Sequence, residues 1–113
     1  GMRQRTALAR SLTMESKLLL MDEPFSALDK QTSNRLREEL QRIWMKTKQT
    51  ILFITHSVEE AVYLADRVVV LSPATGKVAE IVTVELPRPR HVYAPEFVAL
   101  RHKILEEVRG EAV

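Results

Sequence analysis

Four apolar residues followed at once by two acids and a proline, Leu18-Leu19-Leu20-Met21-Asp22-Glu23-Pro24, constrain this chain more than any other stretch. An unbroken apolar run of this length suits a strand buried on both faces, as in a parallel sheet. The carboxylates arrive where that strand ends, and open α/β sheets bind ligands outside the C-terminal ends of their strands. Pro24 has no N–H with which to carry a ladder further. Two acids delivered to a sheet edge suit a magnesium–nucleotide site, one carboxylate holding the metal and the other activating water.

The surrounding pattern alternates strands and helices. Residues 4–12, rich in Ala, Leu and Arg, read as a helix ahead of the first strand. Beyond the loop 24–29, Asp29 is placed to cap a helix over 30–46. Its apolar positions Leu36, Leu40, Ile43 and Trp44 form one narrow stripe, and Glu38 stands four residues before Arg42 at the favourable spacing. Ile51-Leu52-Phe53-Ile54 is a second apolar strand, closed by Thr55-His56-Ser57. Ser57-Val58-Glu59-Glu60 matches a capping box opening a short helix. Residues 67–71, with Val68-Val69-Val70, form a third strand. A turn over 73–77 returns the segment 78–86 as a hairpin partner. Pro87-Arg88-Pro89-Arg90 reads as an extended connector. Pro95 suits the first turn of a last helix with Phe97, Leu100, Ile104 and Val108 facing inward. The fold class is α/β, with a mainly parallel sheet, flanking helices, an antiparallel hairpin and a C-terminal helix.

Composition narrows the function classes. A chain of 113 residues with 45% hydrophobic and 28% charged residues is at most one ordinary globular domain. Its formal net charge is +2, and basic and acidic residues alternate through 35–42, so no long basic run points to nucleic acid. There is no cysteine, hence no disulfide and no thiolate metal site. No apolar stretch approaches the ~20 residues that span a bilayer, so membrane association would go through a partner.

Taken in order, the motifs resemble the C-terminal half of the ATP-binding subunit of ABC (ATP-binding cassette) transporters. Gly1-Met2-Arg3-Gln4-Arg5 is similar to the tail of the signature motif, Leu18 to Glu23 to the Walker B strand, Ser26-Ala27-Leu28-Asp29 to the D-loop, and His56 to the switch histidine. Gly1-Met2 reads equally as a residue left before an initiator methionine. The resemblance implies residues 1–86 as part of the nucleotide-binding domain and 87–113 as a connector and terminal helix. It implies ATP and Mg²⁺ as cofactors, with Asp22 in the magnesium shell. Glu23 then orients or deprotonates the attacking water, and His56 holds a phosphate oxygen. Gly1, Met2, Arg3 and Gln4 would meet the nucleotide held by a second such subunit, paired head to tail, with Ser26 and Asp29 at the same junction. Asp22 and Glu23 also have a plain reading as an acidic strand terminus, His56 as a packing residue and Asp29 as an N-cap alone. His91 and His102 receive no role.

The stretch from His56 to Ser72, with Pro73 to Gly76 and Leu86-Pro87-Arg88-Pro89-Arg90 beyond it, resembles importers of nitrate, sulfonate, taurine and bicarbonate. That branch implies a transmembrane permease, an indirect link to a substrate-binding protein, and a place on the inner face of the cell membrane. The three glycines Gly1, Gly76 and Gly110 build no Gly-x-x-x-x-Gly-Lys-Ser/Thr phosphate loop, so the isolated chain is expected to be inactive. Two other readings stand: a non-catalytic truncated or dimerising fragment, and an ABC-type ATPase of DNA repair or translation.

Overall fold

The computed structural model describes residues 18–112, in two compact units that meet in sequence at His56 and Ser57. In the first unit, β1 (Leu19–Asp22), α1 (Lys30–Thr47) and β2 (Ile51–Ile54) form a β–α–β crossover. The strands pair in parallel, with Leu19 opposite Ile51 and Asp22 opposite Ile54. Asp29 caps α1 by accepting from the Thr32 N–H at 2.9 Å. At the other end Lys48 turns left-handed, its N–H donating to Trp44 O. The Trp44 indole N–H donates to Gln49 O at 2.6 Å and helps turn the chain toward β2. Met21, Phe25, Leu36 and Leu40 are buried. The tilted Phe25 and Phe53 rings lie 5.9 Å apart.

Alternate residues of these strands leave the core. Leu20 is 59% and Leu52 53% exposed, and Ile54 is exposed beside them. Burial of β1 on both faces, expected from its apolar run, is therefore not met: among the described residues β1 pairs only with β2 and one sheet face stays open. Arg42 pairs with Glu39 at 3.0 Å, not with Glu38, because the three-residue step also brings side chains together on a helix.

The second unit contains α2 (Val58–Leu64), β3 (Arg67–Leu71), β4 (Val78–Thr83) and α3 (Pro95–Ala112). Ser57 caps α2 as the capping box requires, its hydroxyl accepting from the Glu60 N–H at 3.2 Å. β3 and β4 pair antiparallel as their own two-stranded sheet, with an irregularity between Val70 and Leu71. Gly76 supplies the left-handed residue of the turn at φ 69°. Val62, Tyr63, Val68, Val70, Val82, Val84, Phe97 and Ile104 form the core. Phe97 and Ile104 lie inward on α3 as their spacing predicts, while Val108 is partly exposed.

The connector 87–90 is a tether. Arg88 donates to Leu64 O at 2.6 Å and meets Asp66 at 2.8 Å. Arg90, 5% exposed, donates to Val62 O, Tyr63 O, Ala65 O and Leu86 O at 2.6–3.3 Å. The last carbonyls of a helix have no partner within it, and two guanidinium forks meet those of α2. Burial, with Arg88 close by, pulls the Arg90 pKa down to about 10, so the group stays charged at neutral pH.

Candidate functional site at the ends of the parallel strands

Parallel pairing brings the ends of β1 and β2 to one sheet edge. Asp22 is the last residue of β1 and is exposed. Glu23 extends the ladder by one bond, its N–H donating to Ile54 O at 2.8 Å. There the chain leaves the sheet: Glu23 adopts φ 45°, a left-handed conformation uncommon for residues other than glycine. Such strain persists only where the surroundings hold it, and it concentrates at functional sites.

Two residues beyond the end of β2, His56 reaches back to this position. Its Nε2 lies 2.7 Å from Glu23 Oε1, although the imidazole ring is 95% exposed. Glu23 is partly buried and Oε1 is shut off from solvent. Oε1 has no aligned hydrogen bond among the described residues, so the pair is a close polar contact.

The loop 23–29 is held by hydroxyls. Ser26 donates to Glu23 O through both its N–H, at 3.2 Å, and its Oγ, at 3.0 Å. Thr32 donates to Asp29 through its N–H and its hydroxyl, both at 2.9 Å, and these bonds hold the Asp29 carboxyl below its ordinary pKa of 3.8. Ser33 Oγ lies 2.9 Å from Asp29 O and 3.3 Å from Phe25 O, and its one proton is directed to the nearer carbonyl or shared between the two.

The structure thus brings Glu23 and His56 into contact, sets Asp22 beside Glu23 at the same strand end, and places Ser26 and Asp29 in the loop that follows. Gly1, Met2, Arg3 and Gln4 lie outside the described residues. Sequence reasoning missed the backbone of Glu23, since glutamate carries no preference for positive φ, and it missed the task of Ser26 within the turn. Among the described residues no group of three or more His, Cys, Asp or Glu side chains could hold a metal alone. That donor set still suits Mg²⁺, which is usually held by one or two carboxylates, waters and substrate phosphates. Asp22 is the residue that would hold it. No helix of the described residues is long and apolar enough to cross a membrane.

Known proteins with this sequence pattern fall together. An uncharacterised ABC transporter ATP-binding protein of Methanocaldococcus jannaschii is 52% identical over 113 residues, covering 100% of this chain. The chain matches part of the ABC transporter ATP-binding proteins. An aliphatic sulfonates import ATP-binding protein of Bacillus licheniformis is 43% identical over 107 residues, 95% of this chain. A putative ATP-binding protein of Brucella abortus is 43% identical over 111 residues, 96% of it. This chain spans 42% of the length of the first two relatives and 43% of the third. No protein-family model matches it.

Proposed function

We propose that this chain supplies the metal-holding and water-orienting residues of an ATP-hydrolysing subunit in an ABC importer. The observation that carries the reading is the 2.7 Å contact between Glu23 and His56 at the edge where two parallel strands end. Mg-ATP, when bound, supplies the γ-phosphoryl group and neutralises its charge. Asp22 offers the metal one exposed carboxylate. Glu23 orients a water and takes its proton on its second carboxylate oxygen, since Oε1 is closed to solvent against His56, while His56 braces that carboxylate and can donate to a phosphate oxygen. The products are ADP and phosphate. Asp29 and Ser26, with residues 1–4, face a second nucleotide-binding subunit in this reading. A permease and, through it, a substrate-binding protein complete the assembly at the inner face of the membrane. The import of aliphatic sulfonates named for the Bacillus licheniformis relative supports a small anion as cargo, from sulfonate or taurine to nitrate or bicarbonate.

Glu23→Gln in the complete ATP-binding protein tests this directly. Hydrolysis should fall by ~10²–10⁴-fold, the usual cost of losing a general base, while ATP binding is kept. His56→Ala should lower turnover much more than nucleotide affinity. Unchanged turnover in Glu23→Gln would remove that carboxylate from the mechanism.

A further inference from the structure

We infer that Ser26 is a positioning residue for Glu23: its hydroxyl holds the glutamate backbone in the conformation that presents the carboxylate to His56. The consequence for catalysis rests on the function proposed above, but the geometry stands without it. Glu23 is one of two non-glycine residues at positive φ among those described, and the other, Lys48, ends a helix in the usual way. At Glu23 the left-handed turn has no helix end to explain it. Its amide is fixed by Ile54 O at 2.8 Å, and its carbonyl takes two donors, the N–H and Oγ of Ser26. With the peptide planes on both sides held, the direction of the Cα–Cβ bond is set, and the side chain ends 2.7 Å from His56 Nε2.

A serine hydroxyl has a single proton to donate. Here it goes to Glu23 O, so the hydroxyl is not available as a donor to phosphate in this arrangement. Its part is to orient the neighbouring acid. The Ser26 side chain is exposed, so alanine there disturbs no packing.

The test compares Ser26→Ala, Ser26→Thr, Ser33→Ala and Glu23→Gln by NMR in the 113-residue chain. The backbone shifts of Glu23 report its φ, and the ¹⁵N shift of His56 Nε2 reports the contact. In Ser26→Ala both signals should move, the histidine toward its position in Glu23→Gln. Ser26→Thr keeps a hydroxyl and should stay near the parent. Ser33→Ala loosens the same loop without touching Glu23, and should leave both signals in place. Parent-like signals in Ser26→Ala, or equal shifts in Ser33→Ala, would overturn the assignment. In the complete ATP-binding protein, Ser26→Ala should lower kcat roughly three- to tenfold, the scale of one hydrogen bond, with KM for ATP unchanged. A raised KM with unchanged kcat would instead make Ser26 a nucleotide contact. If Glu23→Gln leaves turnover intact, the functional reading fails, while the NMR comparison still decides the role of Ser26.

Discussion

Replacing Arg90 by methionine keeps an aliphatic stem of similar reach and removes only the guanidinium. Three of the bonds lost are well formed, to Val62 O at 2.9 Å, Ala65 O at 2.6 Å and Leu86 O at 3.0 Å; the contact to Tyr63 O at 3.3 Å is weaker. Hydrogen bonds to a charged group contribute about 1.5–3 kcal/mol each, so the gross loss is roughly 4–9 kcal/mol. Part of it is offset because a buried guanidinium no longer has to be desolvated, at several kcal/mol. The expected net loss is about 2–4 kcal/mol, comparable with the entire stability of a unit this small. Urea unfolding of the chain, followed by far-UV circular dichroism, measures it. Arg90→Met should lower the midpoint by more than ~1 M, since small units change by about 1 kcal/mol per molar urea or slightly more. Arg90→Lys should fall between, because a single ammonium cannot reach three carbonyls as a planar fork does. A midpoint unchanged within ~0.5 M in Arg90→Met would mean those carbonyls find other donors, and the tether would be incidental.

Four further outcomes are expected. Phe97→Ala removes a ring that is 1% exposed and should cost about 3–5 kcal/mol, read as a lowered midpoint in the same urea titration. The Asp29 carboxyl is depressed below 3.8 by its bonds to Thr32, so the stability it adds is present above that pH and is lost as pH falls through the depressed value. The protection of the Thr32 and Ser33 amides, taken relative to their intrinsic exchange at each pH, should fall once the pH drops below the ordinary carboxylate value of 3.8, and Asp29→Asn should flatten that dependence; an unaltered profile in the variant would assign the acid transition to another group. The apolar face bearing Leu20, Leu52 and Ile54 should make the 113-residue chain self-associate with rising concentration, and Leu52→Lys should weaken this; a concentration-independent monomer in sedimentation velocity contradicts the expectation. Purified chain mixed with Mg-ATP should release no phosphate above a Glu23→Gln control, because phosphoryl transfer depends on holding the phosphate in line and the sequence contains no phosphate loop.

Much of the site was legible because its determinants are local. Residues 18–24 state strand, acids and stop within seven positions, and β1 falls within one residue of the run that predicts it. Asp29 and Ser57 cap their helices through residues three positions away, a distance that sequence spacing fixes directly. What escaped depends on contacts made across the chain. Pro87-Arg88-Pro89-Arg90 shows an extended segment but not which carbonyls two guanidiniums will reach, since all but Leu86 O lie more than twenty residues upstream. The left-handed Glu23 follows from bonds to Ile54 and Ser26 and from no preference of glutamate. That an apolar face would be left uncovered was legible in the run itself, but which side chains would bear it, Leu20, Leu52 and Ile54, depends on the pairing of β1 with β2.

The parallel register, with Asp22 opposite Ile54, also maps where the chain can tolerate added or deleted residues. Glu23 and His56 meet because each lies just past the end of its own strand, so their separation is counted from the strand ends and not along the intervening helix. Extra turns in α1 leave that count untouched, and surface helix ends and loops accept such changes at little cost. A single residue inserted between Ile51 and His56 acts differently: it slips the register or displaces the histidine by one strand step, ~3.3 Å, and turns alternate side chains to the other face. Length variation among natural or engineered versions of this chain should therefore gather in and around α1 and avoid the six positions from Ile51 to His56.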